Sequence, residues 1–163
     1  MLARLKAKGA TVHSRFINEM FPALWAAATK YGIDGVGMVA QSAKETAWGH
    51  FGGKVPWQFY NTAGNKINPA VQNLPQFRGI CDGDNPLAHA QFASWAVGAE
   101  VHAQHLRRYC GVPIQPETLL IAPRYWAVAS FNTSTYEWSG LGGKWAPALD
   151  YGTTLESIMA TLR

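Results

Sequence analysis

Glu45 ends a run, Val36-Gly37-Met38-Val39-Ala40-Gln41-Ser42-Ala43-Lys44-Glu45-Thr46-Ala47-Trp48-Gly49, that carries the clearest chemical signal in the chain. Val36, Val39, Ala40, Ala43 and Ala47 recur at helical spacing and predict a helix buried on that face. Glu45 falls on another side, with Met38, Gln41, Ser42 and Trp48 for neighbours. A well-packed helix is a rigid mount, and partial desolvation beside an aromatic ring raises the proton affinity of a carboxylate. A carboxyl group that keeps its proton near neutral pH can give it to a leaving oxygen, as a general acid does in glycoside cleavage. Taken alone, a glutamate on a polar helix face is ordinarily a solvated surface residue.

The motifs around it narrow the choice. Phe16-Ile17-Asn18-Glu19-Met20-Phe21-Pro22-Ala23-Leu24, then Lys30-Tyr31-Gly32-Ile33, then the Glu45 run, Tyr60-Asn61 and Gly64-Asn65-Lys66 follow one another in order. Together they resemble the glucosaminidase family of lysozyme-like peptidoglycan hydrolases, found among bacterial autolysins, flagellar enzymes and phage lysins. The family pattern is a proline-started helix ending in Tyr-Gly-Ile, an Ala-Gln-x-Ala-x-Glu-[Ser/Thr]-x-Trp-Gly helix and a Tyr-Asn-x-x-Gly-x-Lys segment. The resemblance covers roughly residues 16–66 and weakens from the Phe92 segment onward. It implies that Glu45 is the catalytic acid, and that the fold is a mainly α (α+β), lysozyme-like helical domain with a small β-lobe walling a substrate cleft.

Most glycoside hydrolases set a second carboxylate across the bond from the acid, as base or nucleophile. The resemblance implies that it comes from the β-lobe. The acids in that stretch are Asp82 and Asp84, in Cys81-Asp82-Gly83-Asp84-Asn85-Pro86; Asp84 is favoured because Asp82-Gly83 reads as the turn itself. The family more often shows a Glu on a strand there, so the chain departs from the pattern at this point. Glu100 is a weaker alternative. A route through the sugar's own acetamido group would need no second carboxylate as nucleophile.

Aromatic residues concentrate in and beside the predicted loops: Trp48, Trp57, Phe59, Tyr60, Trp126, Tyr136, Trp138 and Trp145. Sugar rings lay their apolar C–H faces on aromatic faces, so Trp48, Trp57, Tyr60, Trp126, Tyr136 and Trp145 are expected to line a glycan groove. Tyr60 and Asn61 match the family's Tyr-Asn pair. Asn61 would serve an acetamido group or tie down its own loop, and Gln41, one turn before Glu45, would position a sugar or the acid.

No metal or other cofactor is expected. His102 and His105 lie one turn apart with His89 upstream, but His-Glu-x-x-His is absent and no third ligand stands at a telling spacing. Histidines on a polar helix face are ordinarily solvated. Neither a Gly-rich phosphate loop nor a Gly-x-Ser-x-Gly elbow occurs. Cys81 and Cys110, the only cysteines, lack Cys-x-x-Cys spacing; two cysteines in a non-secreted chain are more often free thiols than a bridge, and a disulfide between them is the alternative.

The positioning elements follow from local signals. A basic, helical lead-in precedes a helix from about Ser14 or Pro22 to Tyr31, stopped by Gly32. Asp34 is a cap for the Glu45 helix. Residues 49–91 are rich in Gly, Pro, Asn and Asp and read as a long functional loop with strands at Trp57–Tyr60 and Phe77–Cys81. Phe92, Trp95, Ala96, Ala99, Ala103, Leu106 and Cys110 predict the central helix. Short helices are expected over Pro116–Ile121 and Pro123–Phe131. A last helix should open on a capping box, Thr153 with Glu156, and bury Leu155, Ile158, Met159 and Leu162.

At 163 residues, with no repeat or linker, the chain reads as one domain over 1–163. Its seven Trp, six Tyr and seven Phe exceed what a small helical core readily buries, which suits a groove. The formal charge of +4 suits an anionic cell wall. The basic residues are scattered, apart from Arg4, Lys6, Lys8 and the Arg107-Arg108 pair, so nucleic acid is not an expected partner. Met1–Ala10 is basic but lacks the apolar run of a signal peptide, and no stretch is long enough to span a bilayer. The resemblance therefore implies a monomer acting on peptidoglycan glycan strands at the bacterial wall, delivered through a phage holin, in a virion or within a larger protein. Muramidase and lytic transglycosylase are sister activities on this architecture, and a non-catalytic wall-binding module is the rival outside it.

Overall fold

In the computed structural model, residues 1–66, 88–111 and 137–163 are described. Among them, five α-helices carry the architecture: α1 (Leu2–Ala7), α2 (Phe21–Tyr31), α3 (Gly35–Glu45), α4 (Trp95–Tyr109) and α5 (Tyr151–Leu162). α3 packs against α2 on one side and α5 on another, and α2 also packs along α4. Leu5, Phe16, Met20, Leu24, Met38, Leu155 and Leu162 fill the space between them and are fully buried. No helix among the described residues is long and apolar enough to cross a membrane.

The local signals for α2 and α3 act as expected. A π-helical turn over Phe16–Met20 leads into α2, whose first turn holds Pro22, where a missing N–H costs no helical bond. Gly32 takes a left-handed conformation (φ 62°), and Ile33 N–H bonds back to Ala28 O at 2.9 Å, ending the helix. Asp34 Oδ1 then accepts from Val36 N–H at 2.9 Å and caps α3.

Three expectations need correction. Residues Gly37–Ala43 are buried without a break, so Gln41 and Ser42 do not lie on an open polar face; α3 is clasped from two sides, not one. α4 begins at Trp95, capped by Ser94, and it too is buried nearly all round. Trp95, Ala99, Ala103 and Leu106 point inward as their spacing predicts, but so do Val101, His102, Gln104 and His105, while Ala96 is exposed. The second buried side arises because the Tyr60–Asn65 loop lies directly on α4. Gly98 permits this: a Cβ there would fall 1.9 Å from Tyr60 O. Finally, α5 starts at Tyr151, two residues before the predicted box. Thr153 and Thr154 hydroxyls both bond Asp150 O, and Glu156 accepts instead from Ser139 N–H.

The expected strand at Trp57–Tyr60 is a 3-10 turn over Trp57–Phe59. Phe59 N–H bonds Pro56 O and Tyr60 N–H bonds Trp57 O, so short-range bonds close the segment before a neighbouring strand can pair with it. Among the described residues extended pairing is confined to two isolated bridges, Lys66 with His89 and Gly142 with Ala146. The strand expected at Phe77–Cys81, the helices expected over Pro116–Ile121 and Pro123–Phe131, and the residues Asp82, Asp84, Trp126 and Tyr136 lie outside the described residues. Cys110 carries a free thiol.

Candidate active site

Glu45 is the last residue of α3, and the backbone beyond it is sharply turned. Thr46 closes the helix with both its N–H (3.0 Å) and its hydroxyl (2.7 Å) on Ser42 O. The chain then passes through left-handed conformations at Ala47 (φ 49°), Trp48 (φ 57°) and Phe51 (φ 55°). Such conformations are costly for residues with a Cβ and cluster where function holds them in place. The turn folds over to form a cleft of about 480 Å³, part of it open to solvent. Lys44–Ala47 at the end of α3, Phe51–Val55 beyond the turn, and Asn61 and Gly64 line it.

Within this cleft the Glu45 carboxyl is held through one oxygen by Tyr151. Tyr151, from the first turn of α5, donates its phenolic hydrogen to Oε1. The Trp145 indole also acts on the carboxyl, with a weak pull toward the charged form. Oε2 lies on the side of Gly64, which also lines the cleft. Glu45 keeps surface exposed to the cleft, yet the protein crowds its remaining sides. That burial is the largest influence on its pKa and raises it above 4.5, against the opposing pulls of the Tyr151 bond, the Lys44 charge and the Trp145 indole. The C-terminal end of a helix also carries partial negative charge, which disfavours a carboxylate. The result is a tethered carboxyl with raised proton affinity and its second oxygen on the Gly64 side of the cleft, an arrangement able to donate a proton to a bound oxygen.

Behind Tyr151 lies a buried series of polar side chains. Gln41 Nε2 donates to Tyr151 Oη at 3.1 Å, Gln41 Oε1 lies 2.8 Å from His102 Nε2, and His102 Nδ1 lies 3.2 Å from Thr62 Oγ1. The Trp145 ring covers this floor, with its centroid 5.7 Å from that of His102, 4.8 Å from His105 and 5.5 Å from Tyr109.

The residues expected to touch sugar divide accordingly. Gln41 has no exposed surface and its amide is committed to Tyr151 and His102, so it positions the acid's partner and does not touch a sugar. Asn61 is the loop tie: Nδ2 donates to Asn65 O and Ala90 O, both at 2.9 Å, and Oδ1 accepts from Asn65 N–H. Trp48, half-buried, packs beside Phe16 with Lys8 over its ring, and Tyr60, also half-buried, meets Trp95 edge-on. Trp57 is exposed, with the Arg15 guanidinium 4.2 Å above its ring, and remains available to a ligand. His102 and His105 are buried beneath Trp145 and not solvated. Among the described residues no group of three His, Cys, Asp or Glu side chains is placed to hold a metal. Tyr151 and His102 were not singled out by sequence as partners of Glu45. A separate pocket between Ile33, Leu106, Arg107, Glu137 and Trp138 shares no residue with the Glu45 cleft.

No protein-family model matches the chain, and no curated protein matches it. Two solved structures do. The glycoside hydrolase domain of FlgJ from Salmonella typhimurium aligns with 90% of this chain and 86% of its own, at 20% identity and a TM-score of 0.54. The catalytic domain of the autolysin Auto from Listeria monocytogenes aligns with 98% of this chain and 92% of its own, at 18% identity and a TM-score of 0.53. The chain has their fold. It is the mainly α, lysozyme-like arrangement expected from the sequence, reached with four residues in five changed.

Proposed function

We propose that this domain cleaves the β-1,4 glycosidic bonds of peptidoglycan, on the reducing side of N-acetylglucosamine, with Glu45 as the general acid. The observation that carries this reading is the Glu45 carboxyl lining a cleft: crowded so that its proton affinity is raised, and tied through Oε1 to Tyr151, with Oε2 on the Gly64 side. Protonation of a leaving oxygen needs that combination. The fold shared with a glycoside hydrolase domain and an autolysin catalytic domain supports the same substrate class. The sequence motifs around Glu45 supply the choice of bond.

The second group is proposed from its place in the sequence, in the stretch after Glu45. Of the described acids, Glu45 alone lines the cleft. Glu19 accepts from Trp95 Nε1 at 2.9 Å, Asp34 pairs with Arg163, Glu100 is held by Lys30 and Tyr31, and Glu156 caps Ser139. Asp82 and Asp84 remain the proposed partners, with the substrate's acetamido oxygen as the alternative nucleophile. Trp57, Trp126 and Tyr136 are proposed to hold glycan.

The deciding experiment is digestion of purified cell walls by the wild-type domain and Glu45→Gln, followed by mass spectrometry of the fragments. A reducing N-acetylglucosamine end made by wild type alone supports the reading. A reducing muramic end or an anhydro end would reassign the bond or the reaction. Wall clearance by Glu45→Gln would remove Glu45 from the role.

A further inference from the structure

A general acid must carry its proton on the oxygen that faces the substrate. In Glu45 the oxygen left for that role is Oε2, since Oε1 is engaged by Tyr151 and Oε2 lies toward Gly64 of the cleft lining. The series behind Tyr151 decides which oxygen is protonated. Gln41, His102 and Thr62 are all without exposed surface, so bulk solvent does not set their hydrogen positions. The links between them can run in two directions. In the first, Thr62 donates to His102 Nδ1, His102 Nε2–H donates to Gln41 Oε1, Gln41 donates to Tyr151, and Tyr151 donates to Glu45 Oε1. An acid proton on Glu45 then has to sit on Oε2. In the second, every link is reversed. His102 carries its hydrogen on Nδ1, the Gln41 amide is turned over, Tyr151 donates to Gln41, and Glu45 must place its proton on Oε1, toward Tyr151.

The far end of the series differs between the two. In the first direction the Thr62 hydroxyl gives its hydrogen to His102 Nδ1 across 3.2 Å. In the second it must accept from Nδ1 and give its own hydrogen to Gly98 O across 3.4 Å. The orientation of the Gln41 amide chooses: with Nε2 toward Tyr151 Oη and Oε1 toward His102 Nε2, the oxygen accepts and His102 Nε2 donates, which is the first direction.

We propose that His102 is a positioning residue for the general acid: held by Thr62 as the Nε2–H tautomer, it donates to Gln41, keeps Tyr151 donating to Oε1, and so leaves the proton of Glu45 on Oε2, on the Gly64 side of the cleft. The inference rests on the reading of Glu45 as that acid. It requires a neutral imidazole, and complete burial pushes the His102 pKa down to about 3. The other ionisable groups bearing on the series are Lys44 beside Glu45, Lys54 in the cleft lining, and His105 and Tyr109, which share the Trp145 ring with His102.

Nitrogen-15 NMR of the wild-type domain reports which ring nitrogen of His102 bears hydrogen. Nε2–H on both sides of the Glu45 titration is the expected result; Nδ1–H overturns the proposal. Carbon-13 titration of the Glu45 carboxyl in variants gives the second arm. Tyr151→Phe removes a donor to the ionised form and should raise the Glu45 midpoint by about one pH unit. His102→Leu should move it in the same direction, and the double variant no further than Tyr151→Phe alone. His102→Gln, which can restore an N–H toward Gln41, should sit near wild type. An unmoved midpoint in folded His102→Leu, or additive shifts in the double variant, would overturn the proposal. If His102→Leu does not fold, the wild-type tautomer decides by itself. Both arms are read without substrate, so their failure is distinct from failure of the Glu45 assignment, which wall digestion by Glu45→Gln decides.

Discussion

Tyr151 donates its phenolic hydrogen to Oε1 of Glu45 across 106 residues of sequence, joining the start of α5 to the end of α3. Burial raises the Tyr151 pKa, and the neighbouring carboxylate raises it further, so the phenol keeps its hydrogen wherever Glu45 titrates. The bond holds the carboxyl still and stabilises its charged form. It therefore offsets part of the burial that would otherwise keep Glu45 protonated.

Glu45→Gln should abolish wall lysis while the domain stays folded. The amide keeps the size of the carboxyl and can still accept from Tyr151, but has no acidic proton to transfer. General acid catalysis contributes about a hundred- to ten-thousand-fold. Turbidity loss of a wall suspension measures the rate and helical circular dichroism the fold. A variant that keeps more than about a tenth of the wild-type rate would show that the proton comes from elsewhere.

The same substitution should alter stability in a pH-dependent way. Glu45 has a folded-state pKa above its ordinary 4.5, so in the interval between those values the native state binds more protons than the unfolded state. Wild-type stability from this group is therefore greatest below about pH 4.5 and falls as pH rises through the folded pKa. Glu45→Gln removes that loss. Melting temperatures of the two proteins should be closest in acid, with the variant gaining on wild type toward pH 8. A constant difference across the range would mean that the carboxyl is not desolvated in solution.

Gly98→Ala should separate the Tyr60–Asn65 loop from α4. Its Cβ would meet Tyr60 O at 1.9 Å, and neither group is the flexible end of a side chain. Overpacking of this kind costs about 1–3 kcal/mol. The loop also carries Thr62, which reaches His102, and Gly64, on the side of Glu45 Oε2. Denaturant unfolding should show the stability loss, and activity per folded molecule should fall with it. Undiminished specific activity would mean that the loop relaxes without disturbing the site.

What the sequence revealed and concealed follows the range of the interactions. The Gly32 stop, the Asp34 cap and the mounting of Glu45 on α3 depend on neighbours within a turn or two, and each was legible. The capping box at Thr153 obeyed an equally local rule but lost to a distant one, because Ser139 N–H takes the Glu156 carboxylate. Gln41 was recognised as sharing a turn with Glu45, but its partners, Tyr151 and His102, lie 110 and 61 residues away. The second buried side of α4 was hidden for the same reason: His102 and His105 look like a polar stripe until the Asn61–Asn65 loop and Trp145 are laid over them.

Lys30 and Glu100 pin α2 to α4, and their contribution should have two pH limits. Burial acts to raise the Glu100 pKa, but the hydrogen bonds from Lys30 and Tyr31 outweigh it and leave the group below 4.5. Its stabilisation is present above pH 4.5 and is lost as pH falls through the lowered value. The Glu100 bond raises the Lys30 pKa above 10.5, so that share is lost only as pH rises through the raised value. The pair is partly exposed, and Glu100→Gln should cost about 0.2–1 kcal/mol at pH 7 and much less near pH 3, read by urea unfolding. Wall lysis should persist, since Glu100 is engaged away from the Glu45 cleft. Loss of lysis in a folded variant would return Glu100 to the list of candidate bases.

The partner of Glu45 is the remaining chemical question, and product stereochemistry can answer it. If Asp84 or Asp82 acts as base or nucleophile, its change to Asn should cut turnover while leaving glycan binding nearly intact, and the other change should act mildly through the turn alone. Asp84 is the expected one, since Asp82-Gly83 has the composition of the turn. Inversion at the anomeric carbon would require the two carboxyls to stand about 6.5–9.5 Å apart, with a water between; a covalent retaining route needs about 5–5.5 Å. Retention with both Asn variants and their double fully active would leave the acetamido oxygen of the substrate as nucleophile. In that case a glycan lacking the N-acetyl group should bind but not be cut, whereas a carboxylate nucleophile would still cleave it. Glu117 is the control, the one further acid outside the described residues. If Glu117→Gln alone removes activity from a folded domain, the assignment of the partner to the Asp82–Asp84 turn is wrong.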